Sequence, residues 1–94
     1  MPLLVFANIT ARPGAEVDLK NALRELIFDV RKEPACQLYE LYESAEHPER
    51  FIMHELWDDE AGLQAHSQMP HMAAFGIKAK DWLAKPAELT KVTV

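Results

Sequence analysis

The amino-acid pattern points to an α+β domain of the ferredoxin-like type, β-α-β-β-α-β, spanning residues 1–94 as a single unit. Three observations point there. The chain has 94 residues, the size of one small domain. Its apolar residues alternate as in strands, then recur at helical spacing, then alternate twice more before a second helical stretch and a last short strand. Polar or proline-bearing connections separate these segments, with no internal repeat, linker or low-complexity stretch.

The first strand is "LLVFANITAR", residues 3–12, rich in β-formers and bounded by the turn signal Pro13-Gly14. Alternation groups Leu4, Phe6, Asn8 and Thr10 on one face and Leu3, Val5, Ala7 and Ile9 on the other. Both faces are largely apolar, so both are expected to be covered. Asn8 is expected on the side facing the helices, where its amide needs partners.

From Ala15 the spacing of Leu19, Ala22, Leu23, Leu26, Ile27 and Val30 predicts an amphipathic helix. Glu16 and Asp18 suit its positive end, Arg31 and Lys32 its negative end, and Pro34 stops it. Residues 36–44 and 50–58 then read as a hairpin joined by the polar "AEHPER". The first of these strands sets Leu38, Glu40 and Tyr42 against Tyr39 and Leu41. The second sets Phe51, Met53, Glu55 and Trp57 against Ile52, His54 and Leu56.

Residues 59–67 read as a short helix capped by Asp58 or Asp59. Pro70 opens another, with Met72, Phe75, Ala79, Trp82 and Leu83 on its apolar side, and Pro86 closes it. "ELTKVTV" is a last strand. A chain this short buries only about 60–65% of its unfolded surface. Helices cover one face of such a sheet, and the other still carries apolar residues from several strands. That combination predicts a symmetric homodimer, sheet on sheet.

Ten basic residues are scattered among fifteen acids, for a formal charge of −5. Phosphate recognition needs clustered cations, so nucleic acid and anionic membrane surfaces are excluded as expected partners. Cys36 is the one cysteine. It permits no disulfide framework and no cysteine-based zinc site, and it reads as a small buried side chain. The N-terminal stretch has no basic region or cleavage site, and no apolar run approaches the ~20 residues of a membrane span. A cytoplasmic protein is expected.

The chemistry concentrates in "HELWDDEAGLQAHSQMPHM", residues 54–72, which holds three of the four histidines. His66 and His71 lie five apart across Pro70, which is not the spacing that sets two imidazoles on one helical face, and Glu55 points away from His54. No metal site is expected. Ser44 and Ser67 lie in no nucleophile elbow, and three glycines make no phosphate loop. His66, three residues after Leu63, should share the inward face of its helix. The residues leave two readings open for it: a proton-handling group over an apolar cleft, or a structural histidine. Asn8 could hold backbone or donate to a substrate oxygen. Trp57, Met53, Met69, Met72 and Phe75 are most simply packing.

Taken in order, Asn8 in the first strand, "ELW" at 55–57, "LQAH" ending in His66 and "PHM" at 70–72 resemble the antibiotic biosynthesis monooxygenase (ABM) family, nearest its small quinol-oxidising members. The likeness covers almost the whole chain. It implies a dimeric α/β barrel with a pocket between helices and sheet in each subunit. It also implies oxidation of a quinol or related phenolic by O₂ with no flavin, haem or metal cofactor. An electron-rich phenolate can itself supply the electron that other oxygenases draw from a cofactor. On this chain the resemblance makes His66 the proton acceptor and Asn8 a donor to the oxygenated intermediate. Trp57 and Glu55 would shape and orient the pocket, and His71, Met72 and Phe75 would line its entrance. Haem-degrading relatives need a histidine about ten residues after position 66, where this chain has Gly76, so that branch is disfavoured. An isomerising enzyme for a small oxygenated metabolite, or a module that only binds an aromatic, are the alternatives.

Overall fold

The computed structural model describes residues 1–94 in full. Its elements are β1 (Leu3–Thr10), α1 (Glu16–Val30), β2 (Cys36–Glu43), β3 (Arg50–Trp57), α2 (Glu60–Ser67), α3 (Pro70–Ala79) and β4 (Glu88–Thr93). The second helical region is thus two short helices broken at Met69-Pro70. The four strands form one antiparallel sheet in the order β2-β3-β1-β4. β3 pairs with β1 on one side and β2 on the other, so β1 and β2 run parallel with β3 between them. This is the expected ferredoxin-like arrangement.

Local chemistry explains the boundaries. Gly14 takes φ of 89°, a left-handed turn conformation that costs glycine little. Its N–H donates to the Glu16 side chain, which draws the chain into α1. α1 ends at Val30, and Arg31 and Lys32 lie just beyond it. Asp59 caps α2 through a 2.8 Å bond from Gly62 N–H, as expected for an acid at that position. Pro70 occupies the first turn of α3.

The core lies between the helices and one face of the sheet. Leu3, Val5, Ala7 and Ile9 of β1 are buried there with Phe51, Met53 and Trp57 of β3 and Leu19, Leu23, Leu26 and Val30 of α1. The face of β1 expected to look at the helices is therefore the wrong one. The strand register fixes this: Val5 pairs with Glu55, Ala7 with Met53 and Ile9 with Phe51, whereas Asn8 pairs with Ile52. Directly paired residues share a face, so burying the Phe51–Trp57 row buries Leu3 to Ile9 and turns Asn8 outward. Asn8 is exposed.

The outer face carries Leu4, Phe6, Ile52, His54, Leu56, Tyr42 and Val92. Tyr42 and Ile52 are 51% and 38% exposed, large values for apolar side chains on a sheet. Phe6 and His54 stack there at 5.1 Å. β2 carries a bulge between Cys36 and Leu38. The extra residue resets the alternation so that Tyr39 lies opposite Glu55 on the inner face. No helix is long and apolar enough to cross a membrane.

Candidate active site

Between the helices and the inner sheet face lies a hollow of about 310 Å³. A dry cavity of roughly 150 Å³ holds one benzene. The volume therefore suits an aromatic of about two fused rings. Its wall is mainly apolar, with Met53, Met72 and Phe75 prominent; Glu55, Tyr39 and His66 are the buried polar side chains that line it, and Glu60, Gln64, Ser67 and Lys91 line it as well. Such a wall, greasy with a few placed polar groups, is the usual build of a small-molecule site.

Each polar group is fixed from the sequence upward. His66 follows Leu63 by one helical step, and both are buried on the inner side of α2. Its ring packs at 4.6 Å, centroid to centroid, on the indole of Trp57 and at 5.7 Å on the Tyr39 ring. Nδ1 of His66 lies 2.9 Å from Glu33 Oε2. With Glu33 ionised, Nδ1–H donates to it, and the neutral ring's other nitrogen, Nε2, is left as an acceptor. Nε2 has no protein hydrogen-bond partner and is not fully enclosed, and His66 lines the hollow.

The Tyr39 hydroxyl has no protein hydrogen-bond partner either, and Tyr39 also lines the hollow. Burial, then the nearby Glu55 carboxylate, pushes its phenol well above the ordinary range. Tyr39 therefore keeps its proton and can donate. Glu55 accepts a 2.9 Å bond from Trp57 Nε1–H. Burial pushes its carboxyl up to about 7, the indole bond opposing this and the Glu33 charge adding to it. Glu55 thus stands near half-ionisation at neutral pH. Burial, reinforced by Glu33, pushes the Cys36 thiol up to about 11, so Cys36 stays an unreactive thiol.

Of the residues singled out from the sequence, the hollow brings together His66, Glu55, Met72 and Phe75. It does not include Asn8, which lines a depression on the other sheet face beside Tyr42 and Ile52. The expected meeting of Asn8 with His66 fails because β1 turns that amide away from the helices. Trp57 is fully buried and supports the wall from behind, holding both Glu55 and the His66 ring. His71 does not line the mouth. It sits in a shallow groove beside Asp29 and Lys78, with Nε2 2.7 Å from the same Glu33 oxygen that His66 meets. Glu55 and His66 share the Trp57 indole rather than a hydrogen bond.

Sequence reasoning missed Glu33 and Tyr39. One signal for Glu33 was available: an acid just past the C-terminal end of α1 opposes the helix dipole and needs another role. Lys91 is the one cationic side chain lining the hollow, and it is paired with Glu60 at 3.0 Å. Lys78 pairs with Glu25, and Arg12 donates to the Leu83 carbonyl.

A ferredoxin-like domain with a histidine–carboxylate pair against an aromatic-sized hollow defines a small-molecule-processing class of α+β protein. Residues 2–76 match the family model for antibiotic biosynthesis monooxygenase, and the chain belongs to that family. An uncharacterized Synechocystis protein, sll1783, is 34% identical over 94% of this chain, which spans 60% of that protein's length. Rv0793 of Mycobacterium tuberculosis, named provisionally as a monooxygenase, is 30% identical over 95% of this chain and 87% of its own. The crystal structure of PA3566 from Pseudomonas aeruginosa superposes with a TM-score of 0.93 at 30% identity, covering 99% of this chain and 93% of that one. A monooxygenase-like role follows from the family.

Proposed function

We propose that the protein is a cofactor-independent monooxygenase that oxidises a quinol or related phenolic with O₂ in the hollow beside His66. The observation that carries this reading is the buried His66, held at Nδ1 by Glu33 with Nε2 left unpaired, in the wall of an apolar, aromatic-sized space. A base in that position takes the phenolic proton within hydrogen-bond reach. The phenolate passes one electron to O₂, giving a semiquinone radical and superoxide. The two combine at a ring carbon bearing hydrogen, forming a C–O bond. The proton held by His66 completes the hydroperoxide. Loss of water, which takes the distal oxygen and the ring hydrogen, leaves one oxygen on the ring as a carbonyl. The sum is quinol plus O₂ to hydroxyquinone plus water.

The protein's contribution is to bind the ring, favour the phenolate and keep water from the oxygenated intermediate. Tyr39 donates to a developing oxyanion, and Glu55, near half-ionised, can relay a proton. We also propose that two copies associate through the outer sheet face, where Leu4, Phe6, Tyr42, Ile52, Leu56 and Val92 form an apolar surface without cover in the single chain. The free Cys36 fits a reducing, cytoplasmic setting for this enzyme.

Oxygen uptake with menadiol, with and without a metal chelator, tests the reading. Uptake above the spontaneous rate, not lowered by chelator, is the expected result. Tight binding of the quinol with no added uptake would instead mark a binding module, and conversion without oxygen an isomerase. Light scattering on the eluting protein tests the dimer, and a monomeric mass overturns it.

A further inference from the structure

The Glu33 carboxylate is buried, and its only side-chain partners are the imidazoles of His66 and His71; no lysine or arginine pairs with it. A buried carboxylate needs a compensating positive charge. Both imidazoles point a nitrogen at the same oxygen, Oε2, at 2.9 Å and 2.7 Å. Glu33 comes from the turn after α1, His66 from α2 and His71 from α3, so three separate segments converge. Their donor atoms all lie within 4.8 Å of one another.

We propose that Glu33, His66 and His71 form a binding site for a borderline divalent cation of the zinc, cobalt or nickel type. Two imidazoles and one carboxylate suit such ions, whereas calcium and magnesium favour all-oxygen shells. A tetrahedral ion with bonds of roughly 2.0 Å separates its donors by about 3.3 Å. To accept it the carboxylate moves a few tenths of an ångström from each imidazole, and the two imidazole nitrogens, within 4.8 Å of each other, close to about 3.3 Å. Glu33 Oε1 has no protein partner and is free to add a second bond. The way in is the groove of His71, whose side chain is 21% exposed and which Asp29 also lines. Binding at Nδ1 leaves the ring proton of His66 on Nε2, which then donates into the hollow instead of accepting from it. The ion therefore occupies the back of the proposed base rather than the reacting centre. Its binding does not depend on the oxygenase reading; only the consequence for His66 does.

Calorimetric titration of the chelator-stripped protein with Zn²⁺, and the visible spectrum with Co²⁺, test the site without any substrate. The expected result is one ion per chain and the intense visible absorption of four-coordinate cobalt with nitrogen and oxygen donors. His71→Ala and Glu33→Gln should lose both signals, while His47→Ala, a change at an exposed histidine in the β2–β3 connection, should keep them. His71→Ala alters a partly exposed side chain and decides the matter even where Glu33→Gln disturbs folding. Absence of binding, or binding that survives His71→Ala, overturns the proposal.

Discussion

Nδ1 of His66 sits 2.9 Å from Glu33 Oε2, and the two side chains are only 6% and 5% exposed. The pair joins the helix that carries the proposed base to a turn 33 residues earlier in the chain. It makes one tautomer of His66 the favoured one and aims the ring at the hollow.

Removing the base itself should be the most damaging change to turnover. His66→Ala is expected to lower the rate of quinol-dependent oxygen uptake by about 10²- to 10⁴-fold, the range for loss of a positioned proton acceptor. Affinity for the aromatic should change far less, because Met53, Met72 and Phe75 remain. Steady-state uptake and equilibrium binding of an unreactive quinone separate the two effects.

Glu33 acts through His66. Glu33→Gln presents an amide in place of the carboxylate and no longer favours the Nδ1–H tautomer. Uptake should fall by about 100-fold or more, as when a buried acid that orients a catalytic imidazole is neutralised. The fall should lie mainly in kcat, with KM for the quinol little altered.

Glu55 makes stability depend on pH. Its carboxyl stands at about 7 in the folded chain against an ordinary 4.5, so between these values the folded state holds a proton that the unfolded state has released. Stability from this group is therefore fully present below about 4.5, is lost as pH rises, and is gone above about 7. The loss amounts to roughly 3 kcal/mol at most. Glu55→Gln keeps an acceptor for Trp57 Nε1 and removes the titration. Urea unfolding at about pH 5 and about pH 8 should show a smaller difference in the variant.

Gly62 reports how closely α2 is seated. A Cβ built on it would lie 2.7 Å from Ala35 Cβ, which cannot swing away because it is attached directly to the backbone. Gly62→Ala should cost about 1–3 kcal/mol through overpacking. It should also lower turnover, since α2 carries His66. Thermal unfolding and uptake measured on the same sample check both effects.

Most of the frame was legible because its signals are local. Pro34 and Pro70 mark the end of one helical segment and the start of another, Asp59 announces a cap, and alternation in 50–58 sorts Phe51, Met53, Glu55 and Trp57 correctly. His66 was placed by its single helical step from Leu63. The face of β1 was not legible by the same means. Both faces of the strand are largely apolar, so alternation alone does not choose between them, and the pairing of Asn8 with Ile52 decides. The meeting of Glu33 with His66 and His71 was beyond reach for another reason. Residues 33, 66 and 71 come from three segments, and their convergence depends on how α1, α2 and α3 pack, which no spacing along the chain encodes.

The central claim is that His66 offers an unprotonated Nε2 to the hollow because Glu33 holds the proton on Nδ1. Long-range ¹H–¹⁵N correlation of the labelled, metal-free protein at neutral pH reads this directly. The account predicts the Nδ1–H tautomer for His66, lost in Glu33→Gln. A His66 ring that carries its proton on Nε2 in the unaltered protein would contradict it.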